Sequence, residues 1–186
     1  VFANAQTGNI VLLSTALFRR EWAIVLKYLI PVLSFLLGIF AAECVHRHFK
    51  YMEKVHWRQL IILAEIVLLA AVGFLPETLN TTANAVVSFV CAMQVQTFRK
   101  VGGYSYASTM CIGNLRSGTA ALSVYCREKR PEQLKQALYY FGIILFFAFG
   151  AGCGGNLSLH LGFQAIWVSS VLLLISFVLM FIEKQG

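Results

Sequence analysis

The chain has 186 residues, of which 59% are hydrophobic and 12% charged, about half the charge of a soluble domain. That balance excludes a soluble globular enzyme and describes an all-α, polytopic integral membrane protein embedded in a lipid bilayer. The formal net charge of +7 reads as basic loops at a membrane face, not as a nucleic-acid surface, because no basic stretch carries interleaved aromatics.

Taken in order, the chain opens polar, through Asn4, Gln6, Thr7, Gly8 and Asn9, and turns apolar at residues 10–18. That apolar run is far short of the ~20 residues that span a bilayer, and Asn and Thr ahead of it are helix-capping chemistry. Arg19-Arg20-Glu21 forms a loop and Trp22 is placed as an interfacial aromatic. Residues 23–45 are long enough to span, with Pro31 inside and Glu43 at the end. Gly38-x-x-x-Ala42 gives this span a smooth face that another helix can approach closely. Residues 46–58 are the most charged loop, and residues 59–75 the next span, with Glu65 near its centre. A polar turn occupies 76–82.

Residues 84–98 carry Ser88, Gln94 and Gln96 among apolar neighbours and end at Arg99-Lys100. Residues 104–126 include Thr109, Gly113, Asn114 and a charge in an otherwise apolar setting, Arg116. A basic loop at 127–135 leads to a span at 136–155, which carries a second small-residue face, Gly150-x-x-x-Gly154. The uncharged segment 156–162 reads as a turn, and 163–182 as the last span.

An internal repeat organises these elements. Gly8 to Leu17 and Gly113 to Leu122 share Gly, Asn, Ala and Leu at matching places, and Gly38 and Ala42 have counterparts in Gly150 and Gly154. The expected division is therefore two related halves, 1–78 and 79–186, the first lacking a helix that would precede Val1. If both Gly-Asn segments cross the membrane, the halves are parallel and the basic residues split six against eight. If both are re-entrant half-helices, each half has three crossings and the halves are inverted. The split then becomes eleven against three, Arg116 aside. The positive-inside rule favours the second arrangement.

In that arrangement the two half-helices meet near the bilayer centre, where their N-termini present unpaired N–H groups to a solute. Gly8 and Gly113 permit the chain reversal, Asn9 and Asn114 cap the helices or offer an amide, and Thr7 and Thr109 add hydroxyls. Arg116 points to an anion, with Glu65 as first and Glu43 as second candidate partner. Glu65, deep in an apolar span, is a candidate proton carrier. The bland reading is that Gly packs and Asn caps its own helix. No enzyme is expected, since H-E-x-x-H, G-x-S-x-G and the phosphate-binding Gly-rich loop are absent. No catalytic residue, cofactor or metal is read from the five cysteines, which contain no C-x-x-C, or from the four histidines.

The stretch from Val1 to Leu13, with Leu63-Ala64-Glu65, Ser88, Gln94 to Arg99 and Met110 to Ser117, resembles the YoaK-type family of bacterial membrane proteins, a domain of unknown function. The resemblance implies a bacterial cytoplasmic membrane location and supplies no substrate. The functional expectation is a transporter or channel for a small solute, anionic if Arg116 faces it. The alternative is a non-transporting scaffold or assembly protein. The two small-residue faces suit internal packing and a homo-oligomer equally well.

Overall fold

The computed structural model describes residues 3–51, 56–101, 104–105 and 111–182. The fold is all-α. Seven α-helices are present among these residues: α1 (Gln6–Phe18), α2 (Trp22–Phe49), α3 (Trp57–Val72), α4 (Asn80–Thr97), α5 (Cys111–Glu128), α6 (Pro131–Leu161) and α7 (Ile166–Ile182). A minimal antiparallel hairpin of β1 (Lys100–Val101) and β2 (Tyr104–Ser105) lies between α4 and α5 in the chain. Thr109 and the residues around it, 106–110, lie outside the described residues.

Two compact units result. One comprises residues 1–97 and 157–186, the other residues 98–156. This division reflects packing and cuts across the boundary at 78/79 expected from the repeat.

In the first unit the register is set by close contacts. A Cβ on Gly38 of α2 would collide with the Phe89 carbonyl oxygen and lie 2.8 Å from Ala92 Cβ on α4. Four residues on, Ala42 packs with Met93 and with Ile61 of α3. One further turn along α4, Gln96 donates a hydrogen bond to Glu43. Contacts that advance together along both chains make α2 and α4 parallel. The Gly38-x-x-x-Ala42 face is thus used as the sequence suggests, against α4. Pro31 is buried within an unbroken α2.

The α3 helix starts with a capping box that sequence reasoning missed. His56 Nδ1 accepts from Arg58 N at 3.3 Å, and Gln59 Oε1 accepts from His56 N at 3.0 Å. At its other end Gly73 lies directly under the Trp167 indole of α7, whose Nε1 donates to the Ala70 carbonyl at 3.2 Å. The start of α7 therefore sits at the end of α3, and because α7 packs along α3, the two run antiparallel.

The end of α1 is a Schellman closure. Arg20 takes the left-handed conformation (φ 59°), its N–H bonds Leu17 O at 3.0 Å, and Glu21 N–H bonds Ala16 O at 3.0 Å. Lys129, just past α5, adopts the same conformation (φ 55°). Glycine is the usual occupant of such positions; here a cation stands beside the carbonyl end of each helix.

Three expectations are corrected. Thr7-Gly8-Asn9 and Ile112-Gly113-Asn114 lie inside α1 and α5, not at chain reversals, and neither Gly8 nor Gly113 has positive φ. The turn expected at 156–162 is helical through Leu161 and begins only at Gly162 (φ 55°). The turn expected at 76–82 is shorter, because Asn80, Thr81 and Thr82 already belong to α4. Gly150 and Gly154, whose face suits internal packing and a homo-oligomer equally, have nothing within 4 Å of a Cβ placed on them among the described residues.

Two segments, residues 22–49 and residues 131–180, are long and apolar enough to cross a membrane. The surface around them is apolar as well: Phe40, Leu145, Phe146 and Phe149 are each more than two-thirds exposed. A surface of that kind marks contact with lipid or another protein.

The two glycine faces predict opposite responses. Gly38→Leu should push α2 from α4 and lower stability by about 1–3 kcal/mol, the range for overpacking. Gly150→Leu should leave stability within about 0.5 kcal/mol. Unfolding of both variants in detergent checks this; equal losses would contradict the packing described.

Candidate functional site

The site is a layer of buried polar groups half-way along the first unit. It starts from α4, where Ser88 and Cys91 stand three residues apart and so share one helix face. Ser88 is fully buried, and its Oγ donates to the Ala3 carbonyl at 2.6 Å. Gln6 Nε2 donates to the same carbonyl at 3.0 Å, and Gln6 Oε1 accepts from Asn9 Nδ2 at 3.1 Å. This chain of amides docks the first turn of α1 at the midpoint of α4. At about 1.5 Å per residue, the 13 residues of α1 extend only about 20 Å from there.

Asn9 is therefore not the cap of its helix. The N-cap position is Ala5, which makes no side-chain capping bond, and Asn9 is wholly buried one turn further on. Its amide is bound to Gln6 within the same helix, which lets a Gly-Asn pair continue a helix that an aqueous setting would favour ending. Thr7 is exposed, and Gly8 and Asn4 are half-buried.

The α3 helix contributes Glu65. It is wholly buried, and neither carboxyl oxygen has a hydrogen-bond partner among the described residues. It lies close enough to Cys91 to interact electrostatically. A buried polar group left unbonded costs about 1–3 kcal/mol, so its presence is a feature that the fold must otherwise offset. Native cores rarely keep such a group without a use for it.

The remaining expected residues are dispersed. Glu43 is half-exposed, bound to Gln96 and 4.0 Å from His46 Nδ1. In the second unit Asn114 is buried on α5 and Gly118 packs against Tyr140 and Phe141 of α6, whereas Gly113 faces open space and Arg116 is exposed. The first unit thus joins Asn4, Gln6 and Asn9 in one layer with two residues that sequence reasoning had not assigned to it, Ser88 and Cys91. Their three-residue spacing was the available signal; that Ser88 bonds a main-chain carbonyl 85 positions away was not readable.

A family model matches residues 1–179, and the chain belongs to that family, DUF1275, described as a protein of unknown function. No curated protein and no solved structure matches the chain.

The layer makes two stability predictions of opposite sign. Glu65→Leu removes an unbonded buried carboxyl and should raise stability by about 1–3 kcal/mol. Ser88→Ala should lower it by about 0.5–1.5 kcal/mol, a modest loss because Gln6 still donates to the Ala3 carbonyl. Chemical unfolding in detergent measures both. A destabilised Glu65→Leu variant would mean that the carboxyl is a structural bond after all.

Proposed function

We propose that this DUF1275 member is a multi-pass protein of the bacterial cytoplasmic membrane that moves a small polar solute through the buried layer around Asn9, Ser88 and Glu65. The observation that carries the reading is Glu65, a carboxyl without a hydrogen-bond partner among the described residues, at the middle of a bundle whose outside is apolar. Ionisable residues at that depth mark solute or proton pathways more often than packing. A short helix that starts at the same depth supports it, because transporters place their sites where half-helices begin at the midplane.

The packing also supports inverted halves. The end of α3 and the start of α7 lie on one face of the bundle. The end of α4 lies on the opposite face, beside the start of α3 (Ile61 with Met93). The chain from α4 to α7 therefore makes one net crossing. In the proposed topology the crossing is assigned to α6, which has 31 residues. Parallel halves with α5 as a full crossing would put the α6–α7 corner and the α3–α4 turn on opposite faces.

The solute is polar in this reading. Arg116, which suggested an anion, is exposed on α5, while the layer offers amides, a hydroxyl and a carboxyl. Glu65 is the coupling group in this reading. A second reading, a scaffold or assembly protein, is favoured by α6, which leaves Gly150, Gly154 and the apolar residues around them uncovered.

Reconstituted liposomes separate the two. Uptake of a small polar solute should fall at least tenfold in an Asn9→Ala variant, and Glu65→Gln should remove its dependence on a proton gradient. With every other cysteine replaced, Cys91 should react with a small charged methanethiosulfonate. Unreactive Cys91 together with absent flux would sink the transport reading and leave the scaffold.

A further inference from the structure

A cleft of about 640 Å³ opens at the end of the first unit, between the α3–α4 turn and the α6–α7 corner, away from the buried layer. Its volume falls within the range of small-molecule sites. Two aromatic rings wall one side: Phe74 and Trp167 stand with centroids 5.1 Å apart, tilted by 55°. The indole is held in place, with Gly73 beneath it and its Nε1 bound to Ala70 O. Its orientation is therefore set before any ligand arrives.

Glu77 lines the same cleft. Its Oε1 lies 3.5 Å from the place a Gly162 Cβ would occupy, so the carboxylate faces the corner where the chain turns with positive φ. Glu77 has no ion-pair partner among the described residues, and neither Lys nor Arg lines the cleft. His160 is the remaining titratable group on its wall. Among the described residues no set of three His, Cys, Asp or Glu is grouped to hold a metal ion, so Glu77 and His160 are not arranged as a metal site.

A carboxylate without an ion-pair partner among the described residues, in one cleft with aromatic rings, is the chemistry that selects an organic cation. The carboxylate supplies Coulomb attraction, and the rings supply the negative face of their quadrupoles to an ammonium group. Aromatic residues at a membrane face are common without any ligand, but an interfacial belt gives Glu77 no part. From the presence of Glu77, Trp167 and Phe74 in the lining of one cleft we propose that this cleft binds a small organic ammonium ion. The site is independent of the buried layer and stands whether or not the chain transports.

Trp167 is its own reporter. In a Trp22→Phe, Trp57→Phe background it is the one tryptophan left. Titration of the detergent-solubilised chain with tetramethylammonium chloride, at ionic strength fixed with sodium chloride, should give a saturable fluorescence change. Glu77→Gln should weaken binding at least tenfold and Phe74→Leu at least threefold, with helical content by circular dichroism unchanged. The neutral isostere tert-butanol should give no saturable response. Calorimetric titration of the chain with all three tryptophans should return the same order of affinities. No saturable change in either measurement, an equal response to tert-butanol, or undiminished binding by Glu77→Gln overturns the proposal.

Discussion

The structure depends on a mismatch between its inside and its outside. Large apolar side chains cover the bundle, and amides, a hydroxyl and an unbonded carboxyl occupy its middle. In water that arrangement is unfavourable twice over. In lipid the outside is matched to its medium, and in the proposed reading the polar layer is where solvent or solute is received. The elements of the first unit serve this layer. Close approach at Gly38 brings α2 onto α4, and Ser88 then ties α4 to the start of α1.

The same packing constrains how the chain traverses a bilayer. Helices that lie side by side share their ends, so one contact between the end of α3 and the start of α7 fixes the faces of distant loops. In the proposed reading α5 does not add a crossing. With α1 short and begun at mid-depth, the proposed reading has a non-crossing motif helix in each half. Left-handed Arg20 and Lys129 then mark the same joint, a motif helix turning into a long helix, at two places in the chain.

Much of this was legible in the sequence, for identifiable reasons. Long apolar runs gave α2, α3, α4 and α7 because hydrophobic length is a direct reading of the medium. Glu65 stood out because a lone carboxyl inside such a run has few benign explanations. Gly38-x-x-x-Ala42 was read correctly, but the same pattern at Gly150-x-x-x-Gly154 meets open space. A small-residue spacing describes the smoothness of a face and carries no information about what covers it. The Gly-Asn motifs were misread as reversals since glycine and asparagine break helices in water. Where water is scarce, each main-chain group must bond within the chain, and the helix runs through them. The same constraint carries α6 past Asn156 to Leu161. Ser88 and Cys91 were not assignable, because their partners come from far along the chain.

The measurement that tests the account most directly is the sidedness of residue 129. With native cysteines replaced and a single Lys129→Cys introduced, intact bacteria are treated with a membrane-impermeant maleimide, before and after lysis. Inverted halves with a non-crossing α5 place the loop between α5 and α6 in the cytoplasm, so labelling should appear only after lysis. Labelling from outside in intact cells would make α5 a full crossing and contradict the arrangement on which the mid-depth pathway rests.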